Sequence, residues 1–448
     1  MVGRALQFAT SDPKGPVYLV GAREAMEEQI TPYSLDRTQW SPCGASALHD
    51  TDVQHLANEL VNAEQPLVIT GYSGRNHSCV DTLVNLANAV KGLRVLDTGG
   101  CDMCFPADHP GWLGMRYGSD ASIETADVIL VLDCDVPWIP TQCRPQSSAR
   151  IYHIDVDPLK RLMPLFYIPA TRRYAADTYT TVNQIGSYIE SSADIKAEIN
   201  SQRFANRWSS LEAQYQHRIA SLDAQASVPP PPAATLNTSY LIRKLRQLVP
   251  DDTVFAVEGV TNAVLVADQV RATHSGQWVN CGGGGLGWSG GGALGIKLAV
   301  DEIRRKKMVV QIVGDGSFLF SVPSSVYWIS HRYGIPVLTI VLNNKGWFSF
   351  FHDPHRLKTD IRIHPGWNAP RRSMLLVHPD GLGSTVDNRD LNISFEPSPN
   401  YSGIAKASSG GHIHAGRVSE VSKLESTLQT AIEVVQNGTS AVVDALVS

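Results

Sequence analysis

The sequence predicts an α/β protein with two doubly wound parallel-sheet domains and an N-terminal remnant of a third domain. Short, largely apolar runs such as residues 127–133, 307–313 and 336–342 alternate with segments of helical periodicity, which is the pattern of repeated βα units. Because these runs are apolar on both sides of the predicted strand, we expect helices to cover both faces of each sheet. A proline run at residues 229–232 cannot continue a helix and indicates a linker.

These signals divide the chain into five segments. They are a remnant over residues 1–30, a linker over 31–51, a central domain over 52–190, a helical and proline-rich linker over 191–236, and a C-terminal domain over 237–448. The remnant reads as a helix from Arg4 to Thr10 followed by a buried strand from Gly15 to Val20. One helix and one strand cannot bury an apolar face by themselves. We therefore expect the rest of that domain to precede Met1, with an N-terminal arm docked elsewhere as the alternative.

Composition excludes several classes of protein. The net charge is −5 without a clustered basic stretch, which argues against nucleic acid as a partner. No apolar run approaches the roughly 20 residues needed to cross a bilayer, and the start of the chain does not resemble a signal peptide. We expect a soluble intracellular protein, cytoplasmic or mitochondrial. The 7 cysteines are expected to be reduced. Cys101 and Cys104 have the spacing of half a zinc site or of a redox pair, but no second CxxC accompanies them, so a plain loop is favoured over a metal or redox site.

Two polar motifs follow two of the predicted buried strands. Gly314-Asp315-Gly316-Ser317 follows the strand at 307–313, and Asn343-Asn344 follows the strand at 336–342. The carboxyl ends of parallel strands meet at one sheet edge, where open α/β sheets place their ligands. Carboxylate and amide oxygens are hard ligands that suit Mg²⁺. The alternative is that both motifs are turns that occur together by chance.

Two motifs at this separation resemble the signature of thiamine diphosphate (ThDP) enzymes, a GDG sequence followed after a fixed interval by NN. By this resemblance, Asp315, the side chain of Asn344 and the backbone carbonyl of Gly346 bind Mg²⁺, and the ion bridges to the diphosphate. The resemblance also implies residues that contact the cofactor, namely Thr261, Asn262, Gly285, Leu286, Gly314, Gly316 and Ser317.

Some of these cofactor residues have a second interpretation. Thr261 and Asn262 open a helix after the strand at 253–258, so they are suited either to anion binding or to ordinary N-capping. Leu286 belongs to a glycine-rich loop. In the family, the large apolar residue at this position wedges between the two rings of ThDP, whereas the alternative is a leucine of the protein core.

The resemblance extends over nearly the whole chain and is to the acetolactate synthase-like branch. Residues 11–19 resemble the end of the family's pyrimidine-binding domain, residues 52–190 its central domain, and residues 237–448 its diphosphate-binding domain. In some relatives the central domain binds flavin adenine dinucleotide (FAD). No GxGxxG motif follows a strand here, so FAD binding stays open but unsupported.

Two departures from the family concern the active site. The glutamate that activates the pyrimidine ring in this family would fall before Met1, so the resemblance assigns no catalytic residue to this sequence. Residues 348–367 interrupt the match directly after the metal motif. Either an error in the gene model or a real active-site loop would explain this segment, and a metal site at His352 to His355 is a weaker alternative.

Together, these features predict a ThDP- and Mg²⁺-dependent carboligase or decarboxylase that acts on 2-keto acids. The chain is expected to be inactive alone because it lacks the activating glutamate. The family forms homodimers or tetramers, and a partner chain could supply the pyrimidine-binding domain. One alternative is a non-catalytic ThDP- or nucleotide-binding subunit. Another is a Rossmann-type dehydrogenase, for which no predicted strand leads into a fingerprint glycine loop.

Overall fold

The fold is described from a computed structural model of the chain. It describes residues 1–161, 163, 168–227, 236–303, 306–345 and 368–447. The predicted proline linker at 229–232 and the interrupting segment at 348–367 lie outside these residues. The chain forms two compact units, one made of residues 1–94 with 118–206 and the other of residues 95–117 with 207–448.

The first 225 residues contain the following helices and strands. In chain order they are α1 (Val2–Thr10), α2 (Arg23–Glu27), α3 (Asp50–Asn62), β1 (Pro66–Thr70), α4 (His77–Val90), β2 (Arg94–Asp97), β3 (Trp112–Met115), α5 (Ala121–Thr125), β4 (Val128–Leu132), β5 (Arg150–Asp155), β6 (Arg172–Ala175), α6 (Thr178–Ser191), α7 (Ala193–Ile199) and α8 (Gln202–Gln225).

The six described strands of this part form one sheet in the order β3-β2-β1-β4-β5-β6. The chain starts at β1 in the middle of the sheet and later winds outward in both directions, which makes the sheet doubly wound. Every residue of β1 and β4 is buried, as expected for parallel strands covered by helices on both faces. Polar caps start several of the helices. For example, the Asp177 carboxylate accepts the backbone N–H of Thr180 at the start of α6.

The predicted strand from Gly15 to Val20 does not form. Residues 14–22 adopt neither helix nor strand, and the side chains of Tyr18 and Val20 are 90% and 72% exposed. A strand is stable only when a neighbouring strand takes its backbone hydrogen bonds and a core covers one of its faces. No described strand pairs with this segment, so the prediction of a buried strand was wrong for this structure. The helix predicted at Arg4 to Thr10 is present as α1.

The remaining described residues contain a second set of helices and strands. In chain order they are α9 (Thr238–Leu248), β7 (Val254–Glu258), α10 (Ala263–Val270), β8 (Trp278–Asn280), α11 (Trp288–Glu302), β9 (Val309–Gly314), α12 (Asp315–Phe320), α13 (Pro323–Tyr333), β10 (Leu338–Asn343), α14 (Asn368–Val377), α15 (Leu382–Thr385), α16 (Tyr401–Ser408), β11 (His414–Val418), α17 (Val421–Gln436) and β12 (Ala441–Leu446).

These residues form a second sheet of six described strands in the order β11-β12-β10-β9-β7-β8. Its five neighbouring strand pairs are parallel. Aliphatic residues of β7, β9 and β10 pack against three fully buried aromatic side chains, Phe318, Tyr327 and Tyr401. The prediction of two parallel-sheet α/β domains is therefore confirmed.

The length and polarity of the helices and the state of the cysteines bear on two further expectations. Within the described part of the chain, every helix is too short or too polar to cross a bilayer. No disulfide bond joins the 7 cysteines. Cys104 is buried and Cys101 half-buried, and the described residues contain no group of three or more His, Cys, Asp or Glu side chains that could hold a metal.

The carboxyl edge of the first sheet is rich in carboxylates. Lys160 forms ion pairs with Asp155 at 2.5 Å and with Asp135 at 2.9 Å. Asp133, one residue after β4, has no such direct partner among the described ion pairs. Burial raises the pKa of Asp133 to about 7, and the charges of Asp155 and Asp177 add to this effect.

We predict that Asp133 makes the protein less stable as the pH rises. Its pKa is higher in the folded chain than in the unfolded chain, so between about pH 4 and pH 7 the folded state binds the additional proton. The contribution of Asp133 to the free energy of unfolding should fall by roughly 2–4 kcal/mol across that window. Urea unfolding at a series of pH values would measure it. Asp133→Asn should flatten the pH dependence, whereas Asp81→Asn on the exposed side of α4 should not. Identical profiles for wild type and Asp133→Asn would contradict this prediction.

Candidate cofactor site

Three neighbouring strands of the second sheet end at the same edge. Leu342 of β10 pairs with Gly314 of β9, and Val313 of β9 pairs with Glu258 of β7. The residues that follow Gly314 and Leu342 are Asp315 and Asn343, so the register brings them level at the carboxyl edge. This is the juxtaposition that the two sequence motifs predict.

Asp315 is the first residue of α12 and is only 6% exposed. Its Oδ1 accepts the backbone N–H of Gly316 at 2.8 Å. Tyr401 lies close by: burial raises the pKa of its phenol, and the charge of Asp315 raises it further. The carboxylate is thus held at the sheet edge, in the N-terminal turn of α12 and close to a phenol that stays neutral. Tyr401 could not be recognised as a site residue from the sequence, because an aromatic residue at the start of a helix carries no functional signal.

Asn343, the last residue of β10, and Asn344, which follows it, have different surroundings. Asn343 is 1% exposed; its Nδ2 donates to Asp444 Oδ1 at 2.8 Å and to Ser398 Oγ at 3.2 Å. Its Oδ1 accepts the backbone N–H of Lys345 at 3.2 Å. These bonds commit Asn343 to the protein interior. Asn344 is half-buried one residue beyond the strand, and this is the position where the resemblance places the metal ligand. Gly346, the third predicted ligand, lies outside the described residues.

The glycine-rich loop before α11 is constrained at its last glycine. Gly287 has φ +90°, and a Cβ at this position would lie 2.5 Å from the carbonyl oxygen of Phe320. Only glycine fits both the left-handed backbone and the close approach to α12. Leu286, directly before it, is half-buried, whereas Gly285 is exposed. The loop therefore presents Leu286 from a fixed point next to α12.

The structure places Thr261 and Asn262 in a short 3-10 turn, Val260–Asn262, after β7. The Thr261 side chain is exposed and Asn262 is 3% exposed. Asn262 is the N-cap residue of α10, yet its side chain makes no capping hydrogen bond. Ordinary N-capping therefore does not explain this residue. Ser317 is 4% exposed in the first turn of α12, and the ring of Phe395 would lie 3.3 Å from a Cβ at Gly316.

A chain of buried polar groups runs beneath this edge and was not anticipated from the sequence. Ser289 Oγ accepts from Gln311 Nε2 at 2.8 Å, and Gln311 Oε1 accepts the hydroxyl of Thr339 at 2.9 Å. The Tyr327 hydroxyl in turn donates to Thr339 at 3.0 Å. The sequence signals this chain of polar groups only through the polar residues on β9 and β10. The signal is weak because polar and apolar residues do not alternate along either strand. The bonds tie α11, α13 and both strands together.

Comparison with known protein families identifies the family to which these two domains belong. Residues 259–445 match the thiamine pyrophosphate enzyme C-terminal TPP binding domain, and residues 53–161 match the central domain of the same enzymes. The chain belongs to the thiamine pyrophosphate enzyme family, thiamine pyrophosphate being another name for ThDP. The family resemblance stated from the motifs is thereby confirmed, and the interpretation as a dehydrogenase loses its basis.

Individual relatives are distant. The chain is 23% identical to the acetolactate synthase isozyme 3 large subunit of Escherichia coli over 358 residues, covering 76% of this chain and 58% of the relative. It is 24% identical to a probable pyruvate decarboxylase of Schizosaccharomyces pombe over 325 residues, covering 69% of this chain and 49% of the relative. The chain thus spans about half the length of these curated relatives.

A solved structure shows the same fold. A thiamine diphosphate-dependent 4-hydroxybenzoylformate decarboxylase from Rhodococcus jostii RHA1 superposes with a TM-score of 0.71 at 18% identity, covering all of this chain and 73% of the other. At this identity the likeness concerns the fold alone.

We predict that Gly287→Ala destabilises the second unit. The new Cβ would need a left-handed backbone and would collide with the Phe320 carbonyl, so we expect a loss of about 2–4 kcal/mol in the free energy of unfolding. Urea denaturation would measure this loss. The matched control is Gly283→Ala in the same loop, where nothing lies within 4 Å of the added Cβ. If both variants unfold at the same urea concentration as wild type, the close approach of Gly287 to α12 is wrong.

Proposed function

We propose that this protein is the cofactor-holding part of a ThDP- and Mg²⁺-dependent carboligase or decarboxylase that acts on 2-keto acids, similar to acetolactate synthase. The observation that carries the proposal is the position of Asp315. Its carboxylate is nearly buried at the carboxyl edge of β9, level with the asparagine pair after β10. This edge lies within the residues that match the TPP binding domain.

The donors at this edge fit the chemistry of a magnesium diphosphate. Asp315 and Asn344 would hold Mg²⁺ through hard oxygen ligands, with the carbonyl of Gly346 as the third. The N–H groups in the first turn of a helix have no backbone partner within the helix, so Ser317 of α12 can donate to the diphosphate. The Gly316 N–H, which Asp315 accepts in the ligand-free chain, would donate to the diphosphate once Asp315 turns from it to the metal. The proposed cofactor residues are Thr261, Asn262, Gly285, Leu286, Gly314, Gly316 and Ser317.

ThDP, when bound, supplies the electron sink that allows a 2-keto acid to lose CO₂. The residues of this chain would bind the diphosphate end, orient the rings through Leu286 and exclude water from the edge. We propose that these 448 residues do not activate the pyrimidine ring, because none of them matches the activating glutamate of the family. A domain that carries such a glutamate would complete the site.

Exposed apolar surface supports the need for a further domain or subunit. On α12 and just after it, Phe320 is 58% exposed and Val322 57% exposed, and on α13 Trp328 is 49% exposed. Exposed apolar clusters of this kind mark protein interfaces. We propose that a second copy of the chain or a partner chain with the pyrimidine-binding domain covers them. Residues 1–30, with Tyr18 90% exposed, are proposed as the end of that domain.

A non-catalytic ThDP-binding subunit is the second candidate. The lack of a match to the activating glutamate also favours a non-catalytic subunit, because a chain can bind the diphosphate end without activating the ring. The two candidates differ in one measurement: only the first predicts that 2-keto acid turnover appears when a domain with the glutamate is supplied.

We predict that Asp315→Ala strongly weakens the Mg²⁺-dependent binding of ThDP. Removing a charged metal ligand should weaken the apparent affinity by roughly 100-fold. Calorimetric titration of the full chain with ThDP, with and without Mg²⁺, would measure it, and NAD serves as the negative ligand. Asp252→Ala, in an exposed turn before β7, is the matched control and should bind like wild type.

Asn344→Ala should weaken the same binding by a smaller factor, because an amide ligand carries no charge. Asn343→Ala differs in kind: it removes bonds to Asp444 and Ser398 and should mainly lower stability. If Asp315→Ala binds ThDP as tightly as Asp252→Ala does, the metal assignment fails.

A further inference from the structure

Glu258, the last residue of β7, holds the start of α11. Its side chain is 6% exposed. Its Oε1 accepts the backbone N–H of Gly287 at 2.5 Å, and its Oε2 accepts that of Ser289 at 2.7 Å. Gly287 is the N-cap of α11 and Ser289 its second residue. Both oxygens of one carboxylate thus serve amides that the helix itself leaves unsatisfied.

A carboxylate at this position is electrostatically favoured. The N-terminus of a helix carries a partial positive charge, and bonds from backbone N–H groups to an ionised oxygen are stronger than neutral ones. The same amides would otherwise attract an anionic ligand. Since Glu258 already occupies them, a phosphate group cannot take these two donors.

The anchored amides connect to the strands below. Ser289, whose N–H is held by Glu258, also accepts a bond from Gln311, and Gln311 is bonded to Thr339. All three side chains are at most 1% exposed. On its other side, Gly287 lies against the Phe320 carbonyl. The last turn of the glycine-rich loop is therefore fixed from β7, from the strand interior and from α12.

We propose that Glu258 is the positioning residue of the glycine-rich loop: its carboxylate fixes residues 282–287 and thereby sets where Leu286 meets the cofactor rings. Glu258 acts only through backbone N–H groups and does not touch the cofactor itself. The part of this inference that concerns the cofactor rests on the proposed function. The part that concerns the loop does not, because the bonds exist without a ligand.

Glu258→Gln tests the inference with little change in shape. The glutamine oxygen can accept one N–H, but its NH₂ group opposes the other. In the ligand-free full chain, we expect amide hydrogen exchange of residues 282–289 to become about 10- to 100-fold faster, as measured by mass spectrometry. Binding of ThDP with Mg²⁺ should weaken by a similar factor in calorimetry. Glu258→Asp keeps the charge and should restore part of both. The matched control is Glu302→Gln at the exposed, opposite end of the same helix, which should behave like wild type.

The outcomes separate the loop from the cofactor. Faster exchange confined to residues 282–289, together with weaker ThDP binding, supports the inference. Unchanged exchange there, or equally faster exchange across all strands of the second sheet, overturns it, because Glu258 would then anchor nothing or serve only general stability. Faster loop exchange with unchanged ThDP affinity overturns the positioning role. If wild type itself takes up no ThDP, the proposed function fails and the cofactor part with it, while the exchange data still decide whether Glu258 anchors the loop.

Discussion

The parallel register of β7, β9 and β10 is the constraint on which the candidate site depends. Because the three strands end level, Glu258, Asp315 and Asn343 reach one edge without any long loop to position them. A shift of one residue would turn the side chains of a strand to its other face. The buried aliphatic residues on both faces of these strands resist such a shift, so the hydrophobic core fixes the geometry of the polar edge.

Three carboxylates, Glu258, Asp315 and Asp444, lie almost fully buried near this edge. A different set of interactions offsets the cost of burying each of them. Glu258 accepts two helix N–H groups, Asp315 sits in the first turn of α12, and Asp444, which is fully buried, accepts from Asn343. Burial raises the pKa of Asp444 despite this bond. Both oxygens of Glu258 thus accept hydrogen bonds, whereas Asp444 accepts from Asn343 at Oδ1 and has Arg417 Nε at 3.5 Å from Oδ2. Asp315 accepts the adjacent Gly316 amide, and it is the carboxylate to which the family resemblance assigns the metal.

Much of this fold could be read from the sequence because buried parallel strands leave a distinct signal. The runs at 307–313 and 336–342 have the length and apolar character of such strands, and GDG and NN fall at their ends. Shorter and more polar strands carry no such signal: β6 is Arg172–Ala175, and its residues are mostly exposed. The apolar run at Gly15 to Val20 gives the opposite error, a signal for a strand that does not form. It looks like a strand locally, but strand formation needs a neighbour that the described residues do not provide.

The roles of individual polar side chains were harder to predict than the elements that carry them. Residue type and spacing could not distinguish Asn343, which bonds inward, from Asn344; only the family resemblance assigned the metal to Asn344. Glu258 looked like an ordinary end of a strand, because the amides that it binds lie about 30 residues further along the chain and meet it only in the fold. Long-range bonds of this kind depend on packing, which a local pattern does not contain.

We propose that the edge formed by β9 and β10 holds a divalent ion against a diphosphate. A crystal structure of the full chain grown with ThDP and Mn²⁺, with anomalous diffraction to locate the metal, tests this most directly. We expect one metal peak at coordination distance from a carboxylate oxygen of Asp315 and the side-chain oxygen of Asn344, with the diphosphate next to the amides of Gly316 and Ser317. A metal peak away from Asp315, or a diphosphate bound at the start of α11 in place of Glu258, would contradict it.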